Sequence, residues 1–161
     1  MECRIITKGF GDMVFTLYPQ YAPLTVESFI KVAHSGFFDG LGWCRIVKDY
    51  IIQSGSPDND IMTDSDFHLN GEFLENGFDN PLPHVRGALS MARDDGFDTA
   101  GTQFFVVHQD AHKLDGRYAA FGQMVSGFCV LDAIAGVETS GPDTWNKPLV
   151  MPIIERIEII P

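Results

Sequence analysis

The sequence predicts a mainly β protein: an antiparallel sheet of seven or eight strands, closed as a barrel or folded as a sandwich, with two helices. Three observations predict it. Short apolar or alternating runs recur along the chain, bounded by Gly, Pro, Asn and Asp. Only two stretches carry a helical period. The strand–helix–strand rhythm of a parallel sheet is missing. The 161 residues match the size of one ordinary domain. No internal repeat, linker or low-complexity tract divides them, so residues 1–161 read as a single domain.

The apolar runs 3–7 and 13–17 predict two strands joined by a turn that carries Gly9 and Gly11. In APLTVESFIKVAHSG, Val26, Phe29, Ile30 and Ala33 share one helical face. Pro23 suits the first turn of that helix and Gly36 its stop, which bounds it at about 23–35. The runs at about 43–47 and 50–54 predict the next strand pair. Residues 55–86 hold no period and are rich in turn residues. They read as a long excursion with at most one short strand, around Phe67–Phe73, and long loops of this kind are often functional. Strands resume at about 88–92, 102–107 and 118–124. A second helix is predicted at 128–135, ended by Gly136. In the closing run, Ile157 and Ile159 face one way, and Arg156 and Glu158 the other.

Composition narrows the function classes. The net charge of −11 repels phosphate backbones and anionic membrane surfaces, which argues against both as partners. Apolar residues make up 45%, and 13 Phe suggest a filled, aromatic core. Cys3, Cys44 and Cys129 are odd in number and form no C-x-x-C pair, which suits a reducing compartment. Cys44 and Cys129 read as small buried hydrophobes. The N-terminal run has no signal-peptide pattern, and no apolar run reaches the ~18 residues of a membrane span. A cytoplasmic location is expected.

Familiar catalytic motifs do not occur. The run around Ser90 lacks the glycines of a nucleophile elbow, and no phosphate-binding loop is present. His108 and His112 stand four apart without the glutamate of a zinc-protease helix. Asp58, Asp60, Asp64 and Asp66 do not follow the calcium-loop order. A more unusual set remains. Arg45 interrupts an apolar strand, Gln53 closes the next, and Gln103 opens the run Gln103-Phe104-Phe105. A guanidinium inside a strand pair is costly unless something pairs with it. Arg45 either meets a carboxylate inside the fold or lines a site and meets a substrate. Alternation puts Gln103 and Phe105 on one face. A face with one arginine, two glutamines and several hydrophobes has no nucleophile or general base. It suits gripping an apolar group and donating hydrogen bonds to backbone amides.

Three stretches carry a resemblance that runs from about residue 4 to residue 160: APLTVESFIKVAHSGFFDGLGWCRIVKDYIIQSGSP, GEFLENGFDNPLPHVRGALSMAR and AGTQFFVVHQDAHKLDGRYAAFGQMVSG. The sequence resembles the cyclophilins, peptidyl-prolyl cis-trans isomerases, and its middle stretch resembles the short single-domain bacterial members. The resemblance implies an eight-stranded antiparallel closed barrel capped by two helices. It implies that Arg45 and Gln53 are catalytic. It also implies that Tyr50, Ile51, Ala92, Arg93, Gln103, Phe105, Leu114 and Tyr118 bind substrate, with Tyr50, Ile51, Phe105 and Leu114 around the proline ring. Gln53 would anchor the substrate's main chain.

No metal or cofactor is implied. Expected partners are proline-containing peptides and unfolded or flexible chains, met by a monomer that assists folding. Some positions depart from the family. Cys44 stands where many members have His, and Tyr50 where Phe is usual. Lys113 stands where cyclosporin-sensitive members have Trp, which implies weak cyclosporin A binding. Arg93, Asp94 and Asp95 follow the SMA run and form an acidic edge. Two other readings stand beside an active isomerase: a non-catalytic module of the same fold that binds proline-containing segments, and an unrelated small-ligand barrel, which would need a wide apolar interior.

Overall fold

The computed structural model describes all 161 residues. Eight strands form one antiparallel sheet: β1 (Glu2–Thr7), β2 (Gly11–Leu17), β3 (Arg45–Val47), β4 (Ile51–Ser54), β5 (Ala88–Met91), β6 (Phe104–Val107), β7 (Ala120–Ser126) and β8 (Ile154–Ile160). Their spatial order is β3-β4-β6-β5-β7-β2-β1-β8. The edge strands β3 and β8 share no ladder. Their preceding segments meet instead, through the bridge Gly42↔Ile153 and bonds such as Ile154 N–H to the Leu41 carbonyl, 2.8 Å. The sheet therefore curls, and the segments that lead into its two edge strands meet.

Helix α1 (Pro23–His34) follows β2, and α2 (Phe128–Ala135) follows β7. Pro23 occupies the first turn of α1, where its missing N–H costs nothing. The exposed donors of that turn find Glu72, which is buried in the excursion. Its carboxylate accepts from Thr25 N–H and Thr25 Oγ1, both at 2.7 Å, and from Leu24 N–H at 3.2 Å. A carboxylate at a helix N-terminus also matches the helix dipole.

Alternation splits the apolar residues between two faces. The inner face, with α1 and α2, holds a core of 27 buried residues. Phe104 lies at its centre, and the rings of Phe29, Phe38 and Trp43 meet it edge-on at 5.3–5.7 Å. This interior is filled, which removes the wide-barrel reading. A second cluster lies on the outer face: Ile51, Ala88, Phe105, Val107, Ala111 and Leu114.

The structure alters several sequence expectations. The strand near Phe67–Phe73 is reduced to one bridge, Leu69↔Ala100. The excursion is ordered by side chains that bond backbone, such as Asn80 Nδ2 to the carbonyls of Glu72 and Ala120. Alternation in β8 breaks at a bulge, where Thr7 pairs with Ile154 but Ile6 pairs with Arg156. Ile154 and Ile157 can therefore both be buried. Cys129 is exposed on α2, contrary to expectation, because the buried face of that helix runs through Leu131, Ile134 and Ala135. Cys44 is buried as expected, and burial pushes its thiol up to about 11.

Candidate active site

The register of four neighbouring strands builds the site. Arg45 on β3 is opposite Gln53 on β4, Gln53 is opposite Phe105 on β6, and Phe105 is opposite Ser90 on β5. These four side chains form one row across the outer face. Two residues along, Ala92 N–H donates to the Gln103 carbonyl at 3.0 Å, which sets those residues beside the row. β4 and β6 come close at Gly55, whose φ is +91° and where a Cβ would stand 2.2 Å from the Thr102 carbonyl oxygen. Only glycine fits both the backbone and the space.

A hollow of about 460 Å³ opens over this row. Nine of the ten residues singled out in the sequence line it: Arg45, Tyr50, Ile51, Gln53, Ala92, Arg93, Phe105, Leu114 and Tyr118. Gln103, the tenth, lines the adjoining recess with Gln53, Ala92 and Arg93. The floor of the hollow is the outer apolar cluster, with Tyr50, Ala92 and Tyr118 at its rim. The Tyr118 ring meets Phe105 edge-on at 5.8 Å.

Arg45 stands at the polar end of the hollow and has no acidic partner in any ion pair of the chain. One terminal nitrogen donates to Gln53 Oε1 at 3.3 Å. Its Nε is buried and unpartnered. Gln53 Nε2 donates to Gln103 Oε1 at 2.9 Å, and Gln103 Nε2 donates to the carbonyls of Ile61 and Thr63. This relay ties the guanidinium through two amides to the excursion. It occupies one acceptor site and one donor of the Gln53 amide within the protein.

Other residues support the walls. His84 is fully buried; its Nε2 contacts Ser90 Oγ at 2.8 Å and its Nδ1 contacts Asp115 at 3.0 Å. Burial lowers its pKa despite Asp115, so a neutral ring is favoured. That ring stacks on Phe105 at 6.0 Å and supports the floor from below. Tyr50 is half-buried, and burial raises its hydroxyl pKa. The Lys113 ammonium lies 4.4 Å from the centre of the Tyr50 ring. The Arg93 guanidinium is held between the rings of Phe73, Phe97 and Tyr118 and donates to the carbonyls of Arg117, Asp94 and Asp95. It is therefore fixed as part of the wall. Asp94 and Asp95 form no ion pair and leave the rim acidic.

The two histidines four apart point to different partners. His108 Nε2 contacts Asp132 at 2.9 Å, while its Nδ1 accepts from Asp49 N–H. His112 contacts Asp115. The cluster around His108 ties α2 to the β3–β4 turn that carries Tyr50. Sequence reasoning missed Ile61, Met62 and Trp145, which also line the hollow. Met62 and Trp145 are large apolar residues within polar, turn-rich runs, a signal that a binding surface can leave.

Comparisons with known proteins show the family. The family model described as cyclophilin type peptidyl-prolyl cis-trans isomerase/CLD matches residues 3–159. A Streptococcus pyogenes protein named "Putative bifunctional phosphatase/peptidyl-prolyl cis-trans isomerase" is 37% identical, over 96% of this chain and 38% of its own length. A Gibberella zeae protein named "Peptidyl-prolyl cis-trans isomerase-like 2" is 33% identical, over 94% of this chain and 25% of its own. The chain thus spans well under half of these two relatives. A Staphylococcus aureus protein named "Putative peptidyl-prolyl cis-trans isomerase" is 33% identical, and there the coverage is 92% and 87%. Among solved structures, a Cryptosporidium parvum cyclophilin type peptidyl-prolyl cis-trans isomerase, crystallised in the presence of the dipeptide Ala-Pro, superposes with a TM-score of 0.88. It is 28% identical and covers 100% of this chain and 99% of its own. The family model over residues 3–159 and the Staphylococcus aureus relative, covered over nearly its whole length, show that this chain belongs to the cyclophilin-type peptidyl-prolyl cis-trans isomerases.

Proposed function

We propose that the chain accelerates cis-trans rotation about X-Pro bonds in peptides and flexible protein segments, with Arg45 as the catalytic residue. The observation that carries this reading is the state of Arg45: it lines the hollow, is oriented by a neutral amide and is free of any carboxylate. A half-buried cation that the fold does not neutralise is available to a substrate.

The chemistry asked of it is modest. Rotation about a peptide bond costs about 18–20 kcal/mol because the twist destroys amide resonance. Uncatalysed X-Pro isomerisation takes roughly 10–100 s at 25 °C. In the twisted state the prolyl nitrogen becomes pyramidal and regains a lone pair. The guanidinium donates to that lone pair, or to an oxygen of the same residue. Such charge-assisted bonds are about twice as strong as neutral ones. They accelerate the reaction only to the extent that the twisted state accepts them better than either planar state.

Ile51, Phe105, Leu114 and the Tyr50 ring hold the proline still while the other side of the bond turns. Gln53 and Gln103 keep the guanidinium aimed. Ala92 and the Arg93 wall bound the neighbouring stretch of substrate. No proton transfer, metal or cofactor enters this scheme. The role in the cell is assistance to folding by a monomer, and three free thiols suit a reducing compartment such as the cytoplasm. Lys113 over Tyr50 is consistent with weak cyclosporin A binding.

The test is exchange spectroscopy on an Ala-Pro peptide, with the native protein beside Arg45→Ala. Fast exchange that is lost in the variant, with circular dichroism unchanged, is the expected result. Binding without acceleration by the native protein would replace this reading with a non-catalytic module.

A further inference from the structure

We propose that Trp145 determines specificity in this site, as an indole platform for an apolar or aromatic side chain that flanks the proline on the β3 side. The proposal rests on the isomerase reading above. Trp145 lines the same hollow as Arg45, Tyr50 and Phe105, yet it is 56% exposed, while Trp43, the other tryptophan, is fully buried. Nothing in its position serves the core.

The surrounding loop holds it in place. Asn146 N–H donates to the Gly141 carbonyl at 2.9 Å, and Ser140 N–H to the Lys147 carbonyl at 2.9 Å. The loop is then fastened to the free edge of β3, where Ile46 N–H donates to the Asn146 carbonyl at 3.1 Å. Trp145 and Asn146 both adopt the left-handed region, with φ of 58° and 53°. That conformation is uncommon for a bulky residue, and such outliers gather at ligand sites. The bonds around the loop maintain it and present the indole outward beside Arg45.

The sheet order gives the platform its reach. β3 and β5 are separated by β4 and β6. Trp145 stands beyond β3, while Asp94 and Asp95 follow β5 and line the same hollow. A chain whose proline sits over Phe105 and which lies across these strands has one flanking residue toward Asp94 and Asp95 and the other toward Trp145. Arg45, next in sequence to the bonded Ile46, disfavours a second cation there. An indole face left open to solvent favours stacking with an apolar or aromatic group.

The experiment uses two series of proline peptides, with the residue immediately before or immediately after proline varied among Gly, Leu, Phe, Lys and Glu. At one of the two positions the native protein should favour Phe over Gly by roughly 2- to 10-fold in kcat/KM, carried mainly by KM. Trp145→Ala should flatten that ratio at the same position and leave the ratios at the other. Trp145→Phe should restore it. Identical profiles for the native protein and Trp145→Ala overturn the proposal, as does a preference for Lys. Absence of turnover in the native protein sinks the isomerase reading instead. The platform is then read by emission: with Trp43 buried, a Phe-bearing peptide should blue-shift the exposed indole, and an unchanged spectrum at saturation refutes it.

Discussion

Replacing Gln53 with alanine tests whether the relay aims Arg45. The change removes two hydrogen bonds, one accepted from the Arg45 guanidinium at 3.3 Å and one donated to Gln103 at 2.9 Å. The first is charge-assisted but long, so the lower end of the charged range applies, about 1.5 kcal/mol. The second is neutral, about 1 kcal/mol. Water entering the emptied corner recovers part of this, since Gln103 is only half-buried. The net loss of stability is about 2 kcal/mol, or roughly 4–8 °C in Tm for a chain of this size. The cost to activity has another origin. A guanidinium released from its acceptor samples other rotamers, and misplacement by about 1 Å can cost on the order of 100-fold. The expected fall in kcat/KM is about 10- to 100-fold, or about 1.4–2.8 kcal/mol of transition-state stabilisation. Exchange spectroscopy on an Ala-Pro peptide reads the rate, and a thermal melt reads the stability. A melt lowered as stated with activity within twofold of native would refute the reasoning, because Arg45 would then hold its pose without Gln53.

Gln53→Glu keeps the shape but gives Arg45 a counter-charge; it should lower activity at least as much as alanine does, and native-like turnover would show that an unneutralised guanidinium is not required. Lys113→Trp replaces the ammonium over Tyr50 with an aromatic wall. It should tighten cyclosporin A binding on the order of tenfold by calorimetry, and an unchanged affinity would show that Lys113 does not set that affinity. Asp132 is held down to about 2, first by its bonds from Arg86 and then by His108. Because its folded pKa is depressed, its stabilisation is complete above the usual carboxylate value of about 4 and is lost as pH falls toward 2. Asp132→Asn should therefore lower the melting temperature at pH 7 and flatten its fall between pH 4 and 2. A slope equal to that of the native protein would locate the acid sensitivity elsewhere.

The strands and both helices were legible because their signals are local: alternation, a 3.6-residue face, and Gly or Pro at the ends. The pairing of Arg45 with Gln53 was nearly legible, since a short hairpin brings them opposite each other. The rest of the row was not. Gln53 meets Phe105, and Phe105 meets Ser90, only through registers between strands far apart in sequence, and a one-residue slip would turn each side chain to the other face. Phe104 and Phe105 show the limit well. Neighbours of identical chemistry, one lies at the centre of the core and the other on the floor of the hollow. Without the family resemblance, nothing in their composition separates them. The excursion was opaque for a different reason. Its order comes from groups such as Glu72 and Asn80 that bond backbone elsewhere in the fold, and such contacts leave no period to read.

On the proposed reading Arg45 meets a substrate rather than a carboxylate inside the fold, and the chain's use of its acids fits that reading. The protein carries 22 Asp and Glu, and in a chain so acidic an unpaired half-buried guanidinium needs a reason. A carboxylate at position 53 would stabilise the cation, but it would also compete with the twisted amide for the same N–H groups. A glutamine accepts one bond, fixes the direction and leaves the charge in place. Its own amide then needs an acceptor, which Gln103 supplies, and Gln103 in turn needs the Ile61 and Thr63 carbonyls. Each link has a cost if left unmade in a partly buried site. On that reading Gln53, within β4, and Gln103, just before β6, orient a cation without neutralising it.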